Sequence, residues 1–193
     1  MLTLYLAPGS SSMAPHIALH EIGVPFDTHV VSFTRKETRS PTFLNLNPDG
    51  KVPVLLIDGR PLTEVAAILF YLARRFPQAN LLQDGDIEIE AQALSWMSFI
   101  ASTIHPARAL GLERGGKVFA VADQRLGSRD WALGSYSVVD IHLFRLYWRF
   151  ANSLHPPLGS FPNLTAHHDR MMMRPAVQRT IAIETAMGYE LPS

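Results

Sequence analysis

Three adjacent hydroxyls, Ser10-Ser11-Ser12, follow Pro8-Gly9 and stand just before a stretch of helical character. Short hydroxyl side chains there can accept from the orphan N–H groups of a helix's first turn. They can also donate to an anion at that end, where the helix field favours negative charge. Glu64 opens a second helical pattern, an ordinary place for an acid in that same field. His16 and His20 stand at i, i+4 beside Glu21, a spacing compatible with a metal, but no third ligand is evident. His105 is a lone helical histidine, and such residues are more often structural; Lys36 and Lys51 read as solvated surface cations. The chain has 193 residues and no cysteine. That excludes a disulfide framework, a Cys-ligated zinc or iron–sulfur site and a protein thiol nucleophile. Any reacting thiol must belong to a ligand.

Composition narrows the field further. The 17 Lys and Arg balance 17 Asp and Glu, which leaves no electrostatic footprint for nucleic acid or an anionic membrane. At 47% hydrophobic and 18% charged, the chain is too apolar to be disordered. No segment reaches the roughly 18 apolar residues that span a bilayer, and Met1–Gly9 lacks the basic n-region of a signal peptide. A soluble cytoplasmic protein is the expectation, without nucleic-acid or membrane partners.

The elements that must position these residues alternate at first. Leu2–Leu6 reads as a strand closed by Pro8-Gly9. A helix carrying Ile17, Ala18, Leu19 and Ile22 stops at Gly23. Phe26–Phe33 reads as a second strand and Pro41–Leu46 as a short helix before the loop signal Asn47-Pro48-Asp49-Gly50. Pro53–Ile57 and Arg60–Leu62 read as strands joined by an Asp58-Gly59 hairpin turn. Glu64 to Phe76 has helical spacing. The order is βαβ, then ββα. Beyond a linker at 77–85 the strand signals vanish, and helical patterns cover Ile87–Leu110, Lys117–Leu126, Val138–Leu154, Asn163–Met173 and Pro175–Met187. The expectation is an α/β domain at 1–76 and an all-helical domain at 86–193.

Five segments in order resemble one family. Ala7 to Glu21 resembles the first loop and helix of bacterial cytosolic glutathione transferases, closest to the beta class. Asn47-Pro-Asp-Gly-Lys-Val-Pro-Val54 resembles the stretch around that family's cis-proline, and Leu62–Ala73 its glutathione-binding third helix. Arg75–Leu82 resembles the interdomain linker, and Ser137-Val-Val-Asp140 the capping box of the core helix. The resemblance implies a thioredoxin-like N-terminal domain, an all-α C-terminal domain, a two-fold homodimer, a cis bond before Pro53, and glutathione as co-substrate without a metal. Family members usually have a longer stretch where this chain has Pro106 to Tyr136, which must also hold Gly111 and Gly115-Gly116 breaks, so the fifth helix is expected to be shortened.

The resemblance also assigns roles. Glu64 would take the γ-glutamyl ammonium, and the backbone N–H of Val65 its carboxylate; a serine common at that position is absent. Val52, before Pro53, would pair its N–H and C=O with the cysteinyl part, as an added strand does. Lys36 and Lys51 are candidates for the glycyl carboxylate. Where the beta class keeps a cysteine, the chain has Ser11, so Ser11, then Ser10, is the candidate donor to the glutathione thiolate. His105 in Ser102-Thr-Ile-His-Pro106 matches a beta-class histidine facing the sulfur. The expected reaction is glutathione conjugation to an electrophilic small molecule, as in detoxification. The alternatives are a ligandin-like or regulatory glutathione-binding protein, or glutathione-dependent reduction or isomerisation. A mixed disulfide at position 11 is chemically excluded.

Overall fold

Leu2, Leu4 and Leu6 point one way and Thr3 and Tyr5 the other, so Leu2–Leu6 forms a strand, β1, with its leucines buried. The computed structural model describes residues 1–83 and 85–190. Asp84 of the expected linker and residues 191–193 of the expected helical domain lie outside the described residues. Helix α1, Met13–Ile22, ends at Gly23, whose φ of +75° and N–H to the Leu19 carbonyl make a left-handed cap. Strand β2, Asp27–Val30, is shorter than expected because the chain from Val31 turns into a loop tied around Ser32. Helix α2, Pro41–Leu44, is capped by the Ser40 hydroxyl, which accepts from the Phe43 N–H. Strands β3, Val54–Ile57, and β4, Arg60–Thr63, join through Asp58 and Gly59, both at positive φ as a type I′ turn requires. Helix α3 follows at Val65–Arg75.

The sheet order is β2-β1-β3-β4, with β1 and β2 parallel and the other pairs antiparallel. Register decides what this sheet can hold. Leu6 lies opposite Val30, Tyr5 opposite Val54, and Val54 opposite Thr63. The chain after β1, after β2, before β3 and after β4 therefore leaves from one end of the sheet. With strands about 4.8 Å apart, these four segments start within about 15 Å. Beneath that end Val31, Phe43 and Val54 form a buried cluster, with Tyr5, Leu46, Val52 and Leu56 packed against it.

The chain forms two compact units, one of Met1–Leu72 with the segment from Pro175 onward, the other of Ala73–Arg174. Helix α9, Pro175–Met187, thus packs on α1 in the first unit rather than with the helices at 86–174. The reason is burial: seven consecutive residues of α1, Met13–Leu19, are buried, so its face away from the sheet needs a cover. Ala176, Val177, Thr180 and Glu184 supply a buried stripe at helical spacing.

In the second unit the Ile87–Leu110 pattern is helical but interrupted. Helix α4, Ile87–Phe99, runs into a π turn at Ile100–Ile104 and then into α5, His105–Arg108. Pro106 explains it: a proline cannot donate to the carbonyl four residues back, and its ring clashes there. The His105 N–H bonds the Ile100 carbonyl, five residues back. Helix α6 runs Leu112–Leu126, starting five residues before the Lys117 start expected from the glycines. Gly115 and Gly116 lie inside it. A Cβ on Gly115 would meet Phe150 Cε2 at 3.2 Å, so close helix packing overrides glycine's poor propensity. What differs from the expectation is the start of this helix, which the glycines do not break. Helix α7, Val138–Leu154, starts with the expected capping box: Ser137 Oγ accepts from the Val139 N–H, and Asp140 accepts from the Ser137 N–H at 2.9 Å. Helix α8 is Pro162–Met172. No described helix is long and apolar enough to cross a membrane.

Candidate active site

The three serines divide the work among themselves. Ser12 is fully buried; its hydroxyl donates to the Ala7 carbonyl at 3.0 Å and accepts from the Ala7 N–H at 3.1 Å. Ser10 is buried, 2.8 Å from the Ser12 hydroxyl, and its Oγ accepts from the Ser12 N–H at 3.2 Å. Ser10 therefore acts as a cap one turn ahead of α1, and its carbonyl takes the Met13 N–H. Neither hydroxyl is spare. Ser11 is partly exposed, and among the described residues its hydroxyl has no hydrogen-bond partner. Of the three it is the hydroxyl that the turn itself does not use.

The loop before β3 is held by one side chain. Asn47 Nδ2 donates to the Lys51 carbonyl at 2.7 Å, and Asn47 Oδ1 accepts from the Asp49 N–H. Gly50 is required there: its φ is +64°, and a Cβ would sit 2.8 Å from the Thr38 carbonyl oxygen. The Val52–Pro53 bond is cis, as the resemblance implies. Pro53 lies just before β3, which spares the ladder a missing donor.

Glu64 is exposed, and its carbonyl accepts the first helical bond of α3, from the Ile68 N–H. Its φ is +67°, a left-handed conformation that costs a non-glycine residue about 1–2 kcal/mol. Among the described residues its carboxylate has no ion pair. Glu64 thus stands in a left-handed conformation directly before Val65, the first residue of α3. Lys51 is exposed beside Val52. Lys36 is exposed too, at φ +54° in the loop after β2. The structure thus brings Ser10, Ser11, Lys36, Lys51, Val52, Pro53, Glu64 and Val65 to one end of the first unit's sheet. His105 belongs to the second unit, half-buried at the start of α5.

The sequence reading missed Glu184. It is fully buried, accepting from the Gly9 N–H at 2.6 Å and bonded to His16 Nδ1 at 2.8 Å. A buried carboxylate persists only when paired in this way. It fixes the Pro8-Gly9 turn from which Ser10 and Ser11 project. The signal was present: Glu184 falls on the buried stripe of α9, where an acid is out of place. His16 is accounted for by this contact, and His20 packs beside it, the rings tilted by 34° with centroids 4.8 Å apart.

Comparison with known proteins identifies the family. Models of the glutathione S-transferase N-terminal and C-terminal domains match residues 1–74 and 104–175. Glutathione S-transferase GST-4.5 of Xanthomonas campestris is 30% identical over 205 residues, taking in 95% of this chain and 98% of that protein. The bacterial beta class glutathione S-transferase of Sphingomonas chungbukensis is 33% identical, with TM-score 0.83 over 94% of this chain and 98% of its own. A sphingomonad glutathione S-transferase solved in complex with glutathione is 32% identical, with TM-score 0.84 over 95% and 98%. In sequence along nearly its whole length, and in fold, the chain belongs to the glutathione S-transferase family.

Proposed function

We propose that the protein binds glutathione at the loop end of its first unit and conjugates the thiolate to an electrophilic small molecule. The observation that carries this reading is the Ser11 hydroxyl at the N-terminus of α1, which has no hydrogen-bond partner among the described residues. The Ser11 O–H donates to the sulfur, and the helix field favours its negative charge. The thiol proton leaves to solvent. The sulfur lone pair then forms the new C–S bond, and the leaving group departs with its own electron pair. The protein contributes position and a lowered thiol pKa. Glu64 holds the γ-glutamyl ammonium, the Val65 N–H the neighbouring carboxylate, Val52 the cysteinyl backbone, and Lys36 with Lys51 the glycyl carboxylate. The active form is a cytoplasmic homodimer.

The experiment is retention on glutathione-agarose followed by titration of bound thiolate absorbance, in wild type and Ser11→Ala. Wild type is retained and eluted by free glutathione. Losing one hydrogen bond to a charged group, about 1.5–3 kcal/mol, lowers turnover of an aryl halide roughly 10- to 150-fold in the variant. The bound thiol pKa rises with it. Equal pKa and turnover in the two proteins sink the serine mechanism. Chromatography of the products separates a thioether from unconsumed glutathione with an isomerised substrate.

A further inference from the structure

The loop after β2 is closed by a carboxylate from far along the chain. Glu190 accepts from Ser32 Oγ at 2.8 and 3.0 Å through its two oxygens, from the Thr34 N–H at 3.1 Å and from Thr34 Oγ1 at 3.0 Å. These donors hold its carboxyl at a pKa of about 2, the Thr34 N–H most strongly, so it is an anion at any working pH. Ser32 is the knot of this loop. It is buried; its N–H donates to Glu37 Oε2 at 2.7 Å, its carbonyl accepts from the Glu37 N–H, and its Oγ accepts from the Arg35 N–H at 3.1 Å. Glu37 is in turn paired with Arg35 Nε at 2.9 Å. Lys36 sits inside this knot. Its N–H bonds the Phe33 carbonyl, and its own carbonyl accepts from the Arg39 N–H. Its left-handed backbone is the kind of strain that persists only where surroundings over-determine it.

We propose that Glu190 is a positioning residue for glutathione: by filling the Ser32–Thr34 cradle it fixes the strained turn that presents Lys36 to the glycyl carboxylate. This rests on the glutathione reading above, and on Lys36 being a ligand-binding cation. Glu190 itself contacts no ligand. It acts at the outer side of the loop, through Ser32 and Thr34.

The test is a double-mutant cycle on the full chain with Glu190→Ala, Lys36→Ala and the pair. Glu190→Ala raises the glutathione KM on the order of five-fold, the loss of a hydrogen bond's worth of binding, with kcat within about two-fold. Lys36→Ala does at least as much, and the double variant is no worse than Lys36→Ala alone. Glu190→Gln, which keeps an acceptor without the charge, falls between wild type and Glu190→Ala. Amide exchange at Thr34 and Arg35 quickens in Glu190→Ala. Independent, multiplying effects in the double variant overturn the proposal, as does an unchanged KM or unchanged exchange in Glu190→Ala. Lys36→Ala with an unchanged KM refutes the lysine and the proposal together, while its retention on glutathione-agarose leaves the glutathione reading standing. Failure of wild type to be retained removes both.

Discussion

Glu64 carries two burdens at once, a left-handed backbone and a carboxylate without an ion pair among the described residues. For most residues the contribution to folding and the contribution to ligand binding point the same way, and one substitution cannot separate them. Here they point apart. Glycine adopts φ near +67° without the Cβ penalty, so Glu64→Gly should leave stability unchanged or raise it by up to about 1 kcal/mol. If Glu64 is the anion proposed for the γ-glutamyl ammonium, the same change removes a charged hydrogen bond, and the glutathione KM should rise about ten-fold or more. Thermal melting and initial-rate kinetics on the one variant check both signs; a fall in stability with KM unchanged would make Glu64 a structural residue. The roles of the serines were only half legible. That Ser10-Ser11-Ser12 sits at a helix start is a matter of local sequence. Which hydroxyl is spare depends on Ala7, whose backbone captures Ser12 through a turn that no spacing rule encodes.

Elements were legible where the signal is local. Leu2–Leu6, the Gly23 stop and Val138–Leu154 fall where periodicity and caps put them. Helix α6 shows the limit. Glycine's propensity argued for a break, but propensity is worth about 1 kcal/mol per residue, and a close helix crossing outweighs it. Its two glycines should therefore respond oppositely to alanine. At Gly115 the added methyl meets Phe150, which is fully buried and stacked on Phe119 at 4.1 Å, so the ring cannot yield freely. Gly115→Ala should cost about 1–3 kcal/mol by overpacking. At Gly116 the nearest atom is Phe161 Cζ at 3.9 Å, an ordinary contact, so Gly116→Ala should gain up to about 1 kcal/mol of helix propensity. Urea melts of the two variants decide it, and equal shifts would mean the packing account is mistaken. The acid on α9 was hidden for a different reason. Glu184 lies far from Gly9 in sequence, and only the fold makes them neighbours.

For the whole molecule, the balance of charge at neutral pH hides an asymmetry in acid. Burial, aided by Arg145 and His105, pushes His142 down to about 3. His20 is lowered to about 4 by burial and by its neighbour His16. In the unfolded chain both titrate near 6.5. Below that pH the unfolded state binds protons that the native state refuses, so stability falls as pH falls. The loss for His142 reaches about 1.4 kcal/mol per pH unit. His20, half exposed and screened by solvent, contributes less. Glu37 and Glu190, whose pKa values are depressed by hydrogen bonds, add losses only below their ordinary 4.5. Melting temperatures between pH 6.5 and 4.5 therefore isolate the histidines. The slope should flatten in His142→Gln relative to wild type, and an identical slope would remove His142 as the cause.

The first unit is assembled from two stretches of chain that the second unit separates. On the ribosome, strands β1 to β4 emerge early, but the carboxylates that pin the Gly9 turn and the Ser32 loop arrive only after all of Ala73–Arg174 has been made. At about 5–20 residues per second that is a wait of roughly 5–20 s. During it α1 has no cover, and the Gly9 turn and the Ser32 loop lack the carboxylates that tie them. A chain broken off by premature termination within the second unit would keep all four strands yet leave the buried face of α1 open, and should be cut by proteases faster than the full chain.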